Sequence, residues 1–447
     1  MNSAIKDAAA GVLVHDERVL MVRRRESLSA FPGYWAFPGG KVDDADRLPE
    51  DTGDLAAQRA LAREVHEEVG IDLPGLLADH LVADMAAIGH AITPSFIPRR
   101  FATHFYRVDL RTAPDLQLEA EEITEAQWRH PREWLAEWGS GKLLCAPPTL
   151  AVLRALADDP AAREAPELAA GFEDADRFAA IAPIGGLHLL AVPSNTIPPA
   201  QHTNCLYIED AAGGGLLIDP SPAGEKHYAK LRDTIADWPL AAVLLTHHHP
   251  DHREGANRLA RERGVPLLCS ADTRARIATR EGAAWFEGID VRTVGEGDIV
   301  GRWQGEPVRV IAVPGHDAGQ LAPMPDSRAW CMVSDLVQGV GTVVVGGEEG
   351  DMSAYFASLA RVIALDPAVV IPSHGPAVGG TYRLRETLAH RQMREQQVLE
   401  MQAAGADVDS MLERIYGGST PDFLMPLARV NIEAHLDKLR AEGRLAA

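Results

Sequence analysis

Thr246-His247-His248-His249-Pro250-Asp251-His252 crowds imidazoles and a carboxylate into seven residues. The run Ala241-Ala242-Val243-Leu244-Leu245 before it is apolar throughout and predicts a buried strand. The alternation His247-x-His249-x-Asp251 can therefore aim several ligands at one point as a rigid strand gives way to a loop. Imidazole and carboxylate suit zinc and similar divalent ions. Packing supplies no motive for the cluster, because bare imidazoles repel one another once protonated.

Such a cluster needs distant partners, and the chain offers three in matching settings. Val313-Pro314-Gly315-His316 puts a histidine after an apolar strand and a tight turn. Met332-Val333-Ser334-Asp335 puts a carboxylate at a strand end, and Val369-Val370-Ile371-Pro372-Ser373-His374-Gly375 repeats the strand-then-histidine pattern. Alone, each would be an ordinary satisfied structural residue. In this order after the cluster, they read as ligands.

With T-H-H-H-P-D-H at 246–252, P-G-H at 314–316, S-D at 334–335 and S-H-G at 373–375, the chain resembles the metallo-β-lactamase superfamily. The resemblance implies a four-layer αββα sandwich with two divalent metals. One would be held by His247, His249 and His316, the other by Asp251, His252 and His374, with Asp335 bridging. Asp251 would also serve catalysis, and a metal-bound hydroxide would be the nucleophile. The metals expected are zinc, with iron or manganese as alternatives. His248 matches a variable position and reads as a bystander; Asn204 reads as structural. The histidine that relatives often carry shortly after the His316 position is absent from His316-Asp317-Ala318-Gly319-Gln320. Toward the end, Tyr416-Gly417-Gly418, Thr420-Pro421 and Glu433-Ala434-His435-Leu436-Asp437-Lys438-Leu439 resemble a small winged-helix-like extension. It occurs in endoribonuclease-like members and in thioesterases that release polyketide chains. Helices are expected at 383–404, 420–427 and 430–442.

Arg63-Glu64-Val65-His66-Glu67-Glu68-Val69-Gly70-Ile71 is the second strong signal. A helix is predicted over 54–69, stopped by Gly70. It would carry Glu64, Glu67 and Glu68 on one face at i, i+3 and i+4. Three carboxylates repel unless a cation is present, and hard oxygen ligands favour Mg²⁺ or Mn²⁺. A solvated acidic face is the ordinary reading of such spacing. With Gly39-Gly40 upstream and Arg63 adjoining, however, the segment resembles the Nudix box, G-x5-E-x7-R-E-U-x-E-E-x-G-U, where U is aliphatic. The resemblance implies an α/β/α sandwich that cleaves a nucleoside diphosphate linked to another group. Glu64, Glu67 and Glu68 would be metal ligands, and Glu67, Glu68 and Arg63 would be catalytic. The Gly40-to-Arg63 spacing exceeds the box. Residues 44–53 are expected to loop out, Leu55 occupies the early glutamate position, and Asp54 is a possible substitute. Phe37-Pro38-Gly39-Gly40-Lys41-Val42-Asp43, Thr93-Pro94, Arg99-Arg100-Phe101 and Thr103-x-Phe105 resemble relatives that cleave coenzyme A and its derivatives.

The 447 residues favour two or three domains. The expected division is an α/β multidomain chain: a Nudix-like domain at 1–157, a linker at 158–178, a metallo-β-lactamase domain at 179–380 and a helical tail at 381–447. A net charge of -21 argues against broad binding to nucleic acid or anionic membrane. The tail from Thr381 on, with nine Lys/Arg against ten Asp/Glu, is no exception. Four scattered cysteines read as thiols of a reducing compartment. No apolar run has the length of a signal peptide or a membrane span, so the cytoplasm is expected. The partner expected is a small molecule, an acyl-thioester or a nucleotide-linked compound; the sequence sets no oligomeric state. The leading expectation is a dinuclear hydrolase of thioesters such as acyl-coenzyme A, with a Nudix domain acting on or binding a nucleoside-diphosphate-linked compound. The alternatives are a phosphodiesterase or endoribonuclease using the same metals, or a hydrolase regulated by a non-catalytic nucleotide-sensing Nudix domain.

Overall fold

A computed structural model describes residues 5–51, 53–97, 99–170, 176–210, 212–418 and 420–445. The chain divides into two compact units, Met1–His188 and Leu189–Ala447.

In the first unit the strand Lys6–His15 runs through the middle of a mixed sheet. It pairs parallel with Phe101–Leu110 and antiparallel with Arg18–Arg24 and Gly39–Lys41. Val82–Ile92 extends the sheet beyond Phe101–Leu110, and Ile123–Arg129 pairs with Arg18–Arg24. The central strand is apolar along nearly its whole length because both faces are covered. Ala9 and Leu13 pack with Leu61 and Val65 of the helix Leu55–Val69. Ala10, Val12 and Val14 pack with Trp134, Leu150 and Leu153 of the helices Pro131–Gly139 and Pro147–Asp158. A Cβ on Gly11 would stand 3.0 Å from Leu61, so glycine lets the acidic helix approach the sheet.

One element is unexpected here, and one expectation changes. The strand Val82–Ile92 carries no strand signal in its sequence; pairing with Phe101–Leu110 holds it. Residues 158–170, read from composition as linker, belong to the packing of the first unit. The short helix Pro166–Ala170 buries Leu168 beside Ala165 in its core, and Arg107 donates to the Pro160 and Ala162 carbonyls.

The second unit has one sheet ordered Val291–Thr293, Leu267–Cys269, Leu240–Leu244, Gly215–Ile218, His202–Ile208 and the strand that begins the unit. Helices Ala256–Arg263 and Ala271–Glu281 cover it through Ala256, Ala260 and Ile277. Two three-stranded sheets follow, Ile299–Trp303 with Glu306–Ala312 and Leu321–Pro325, then Cys331–Ser334 with Val369–Pro372 and Val378–Gly379. Tyr355, Leu359 and Val362 of the helix Met352–Leu365 cover these. Gly301 lies against Leu216, so sheet meets sheet between the helices. At one end the strands are tied across: Leu321 N–H donates to the Thr246 carbonyl at 2.9 Å and Asn204 N–H to that of Ser373 at 2.7 Å. The Asn204 amide also donates to the Pro372 and Gly375 carbonyls, a structural role.

The tail forms the helices Tyr382–Ala403, Val408–Tyr416 and Met425–Ala441, joined through Val398, Met411, Ile432, Leu436 and Leu439. The two helices expected at 420–427 and 430–442 are one helix, entered through a 3-10 turn at Asp422–Leu424. Among the described residues the tail has no strand, and no helix of the chain is long and apolar enough to cross a membrane.

Leu61→Ala empties a fully buried position between the acidic helix and the sheet. A loss of about 2–5 kcal/mol is expected for the first unit. Denaturant unfolding of the full chain checks it, with the second unit's transition unmoved.

Candidate functional site

The structure gathers His247, His249, Asp251, His252, His316, Asp335 and His374 at the tied end of the second unit's strands. Their ligand atoms fall into adjoining groups, each within 4.8 Å: His247 with His249 and His316, Asp251 with His252 and His374, and His247 with His252 and Asp335. Asp335 stands between the outer two groups, 3.6 Å from His316 Nε2 and 3.5 Å from His374 Nε2.

Each ring has one nitrogen committed outward. His316 Nδ1–H donates to the Val344 carbonyl at 2.7 Å and His374 Nδ1–H to that of His202 at 2.8 Å. His249 Nε2–H donates to Glu349 at 2.9 Å, and His252 Nδ1–H donates to Asp219 at 2.9 Å. His247 is fixed by a relay. Thr246 Oγ1 gives its proton to Asp219 and accepts from Ser334, so toward His247 Nδ1, at 3.1 Å, it can only accept.

The inward nitrogens therefore confront one another. His249 Nδ1 is 3.0 Å from both His247 Nε2 and His316 Nε2. In neutral rings these are three lone pairs at hydrogen-bond distance with no proton to share. Burial and the neighbouring His252 and His249 rings push His247 well below the usual imidazole range, and burial lowers His316 as well. Burial opposes the charged form of His252 and His374 too, but Asp251, Asp335 and Asp219 outweigh it at His252, and chiefly Asp335 at His374. His252 Nε2, His374 Nε2 and Asp335 Oδ1 are buried without a hydrogen-bond partner. Divalent cations fit this donor set, since they satisfy lone pairs and displace protons from ligands.

Three neighbours went unnoticed in the sequence. Asp219 receives the Thr246 N–H at 2.8 Å as well as His252 and the Thr246 hydroxyl. It follows the apolar strand Gly215–Ile218, the same pattern that singled out Asp335. Both Asp219 and Ser334 hold left-handed backbone, at φ 49 and 52, strain of a kind that collects at functional sites. Glu349 had no sequence signal; the His249 hydrogen bond holds its carboxyl down to about 2. Asp317 lies 2.6 Å from His248, which is buried, packs its ring 4.7 Å from that of His249 and touches Glu349 at 3.3 Å; the ligand atoms of these four residues form a further group within 4.8 Å.

In the first unit, Arg63 is the hub of the acidic helix. Its guanidinium donates to Glu64 and Glu67, each at 2.9 Å, to the Lys41 carbonyl, and through Nε and Nη2 to Asp46. Asp46 corrects the expected loop-out. It is buried in the short 3-10 turn Asp44–Asp46, whereas Leu55 is exposed and Asp54 accepts from Tyr106. Counting eight back from Arg63 reaches Leu55; counting six forward from Gly40 reaches Asp46, so the insertion lies after the acidic position. A Cβ on Gly40 would stand 2.3 Å from the Glu64 carboxyl, and Gly39 N–H donates to Glu68 at 2.9 Å. Burial, against the pull of Arg24, raises Glu68 to about 7. Glu67 is half-exposed. Among the described residues, the groups with ligand atoms within 4.8 Å all lie in the second unit; Glu64, Glu67 and Glu68 do not form one.

Comparison with known proteins matches the chain to three families. Residues 5–145 match the NUDIX domain, 198–374 the metallo-beta-lactamase superfamily, and 408–447 the beta-lactamase associated winged helix domain. The chain carries these three domains in that order. Beta-lactamase-like protein 2 homolog of Drosophila melanogaster is 27% identical over 253 residues, 55% of this chain and 84% of its own length. Hydroxyacylglutathione hydrolase of Cereibacter sphaeroides is 29% identical over 195 residues, 43% of this chain and 70% of its own. A crystal structure of a beta-lactamase domain protein from Burkholderia ambifaria is 23% identical, with a TM-score of 0.49, covering 58% of this chain and 86% of that one. The protein is an enzyme of the hydrolase kind, with a metallo-β-lactamase domain and a Nudix domain.

Glu68 gives a pH test. Its folded pKa lies above the unfolded value of about 4.5, so the buried carboxyl favours the fold below that pH and ceases to as pH rises through about 7. In EDTA, Glu68→Gln is expected to raise first-unit stability at pH 8 by up to roughly 3 kcal/mol, with no gain below about pH 4.5. Calorimetry across that range reads it.

Proposed function

We propose that the chain hydrolyses acyl thioesters of the coenzyme A class at the second unit's histidine cluster. In this reading its Nudix domain acts on, or binds, the nucleoside-diphosphate portion of such compounds. The observation that carries the proposal is the convergence of inward ring nitrogens, lone pair toward lone pair, around Asp335. A relative named for hydrolysing hydroxyacylglutathione, itself a thioester, supports the choice of bond.

His247, His249 and His316 would hold one zinc ion, and Asp251, His252 and His374 the other, with Asp335 shared. Bound there, divalent ions supply Lewis acidity that polarises a carbonyl and makes water nucleophilic near neutral pH. The chain's own part is to keep the rings in their tautomers through Asp219, Glu349 and the Val344 and His202 carbonyls. Asp251, whose carboxylate lies 3.5 Å from His374 Nε2, would also serve catalysis by taking a proton. In the Nudix domain, Glu64, Glu67 and Glu68 would hold Mg²⁺ or Mn²⁺ once the cation draws them together. Arg63 would keep Glu64 and Glu67 oriented, and Glu68, raised to about 7, is suited to act as base.

Free thiol should appear when the protein is incubated with acyl-coenzyme A or S-acylglutathione. It should fall by about 100-fold or more in His247→Ala, which loses a ligand shared between two groups. No thiol across a broad acyl panel would sink the thioesterase reading. Magnesium-dependent diphosphate cleavage by the full chain should vanish in Glu67→Gln while thiol release persists. If the unmutated protein binds the nucleotide without cleaving it, the Nudix domain is a sensor.

A further inference from the structure

Two of the three histidines in the His247–His249–His316 group are oriented by a single stretch, residues 343–349. The Val344 carbonyl takes the His316 Nδ1–H, and five residues on Glu349 takes the His249 Nε2–H. This stretch is gripped by the tail. Val345 N–H donates to Asn431 Oδ1 at 2.9 Å. Arg391 donates to the Val343 carbonyl and, through Nη1 at 3.2 Å, to the same Asn431 oxygen. Arg391 and Asn431 are themselves buried, at 3% and 5% exposure. The peptide that holds His316 is thus clamped on both sides by buried polar groups from two tail helices. Gly346 closes the contact: at φ 135, a Cβ there would stand 2.8 Å from the Val430 carbonyl and 3.0 Å from Ala434.

We infer that the C-terminal helices set the metal affinity of the His247–His249–His316 group. Arg391 and Asn431 are positioning residues that act on His316 and His249 through residues 343–349. The inference rests on the reading that these histidines hold a metal. Ordinary packing explains a buried contact between tail and core, but not why its polar atoms bracket the carbonyl that orients His316. Loss of the clamp leaves the Val345 N–H free to seek another acceptor, which turns the neighbouring Val344 carbonyl away from His316. The Asp251–His252–His374 group is oriented instead by Asp219, just after the strand Gly215–Ile218, and by the His202 carbonyl of the neighbouring strand His202–Ile208. One group should therefore weaken alone.

The test is zinc titration of the full-length protein against a chromophoric chelator, with cobalt(II) absorption as a second readout. Unmutated protein should bind two zinc ions. Asn431→Ala, Arg391→Lys and Glu349→Ala should each weaken one of them by about 10–100-fold and leave the other unchanged. The cobalt spectrum should change at the weakened site only. Asn431→Asp keeps an acceptor for Val345 N–H and should restore most of the affinity. Arg391→Lys keeps the buried charge, so it decides the matter if Asn431→Ala fails to fold; Glu349→Ala reads the His249 hydrogen bond by itself. Both zinc affinities unchanged in folded Arg391→Lys would overturn the inference, as would equal weakening of both sites. Fewer than two zinc ions in the unmutated protein would overturn the metal reading itself.

Discussion

Lone pairs held against lone pairs govern the second unit. His249 Nδ1 stands 3.0 Å from two other ring nitrogens, and the outer hydrogen bonds leave none of the three a proton with which to relieve the contact. Ring nitrogens set lone pair to lone pair do nothing for stability. Every nearby device, from Asp219 and Thr246 to Glu349, keeps the rings from turning to a less strained arrangement. The rings are held around a repulsion of the kind that a divalent cation relieves.

The acidic helix of the first unit meets the opposite problem with a different device. Its carboxylates are kept together by one guanidinium, which touches Asp46, Glu64 and Glu67 at once. Arginine suits this hub, because its planar fork serves several carboxylates and does not lose its charge. Glu68 lies outside its reach and is held by Gly39 N–H and Arg24, so burial dominates there and the carboxyl rises to about 7. Four acidic groups within one motif thus occupy different electrostatic environments.

The sequence shows these sites best where chemistry and position coincide. Histidines at strand ends stand out because apolar runs mark the strands and four imidazoles fall within six residues at 247–252. Asp219 met the same criterion and was passed over, since a lone aspartate before proline reads as a turn. Asp46 was missed for a different reason: an insertion between two halves of a motif makes the count depend on the end from which it starts. Glu349 could not be read at all, because it lies in a glycine-rich loop and finds His249 a hundred residues away. The same applies to Val82–Ile92, whose alanines, aspartate and glycine have weak strand preference and depend on Phe101–Leu110 for pairing. Residues 158–170 misled through composition, which reports exposure on average and says nothing of one Leu168 set into a core.

The tail shows why sequence separation is a poor guide to where a site ends. Leu384 and Ala434 share a core with Tyr355 and Val333, the latter two residues before Asp335. Asn431 and Arg391 hold the stretch that orients His316. The tail is near neutral in charge, and two of its buried polar groups, Arg391 and Asn431, bond to the stretch beside the histidine cluster, where a phosphate-gripping surface would instead present basic side chains to solvent. A helical region with these contacts backs the stretch that orients His316. Substitutions in it should be read first through the histidines they hold, and only then through any ligand they meet.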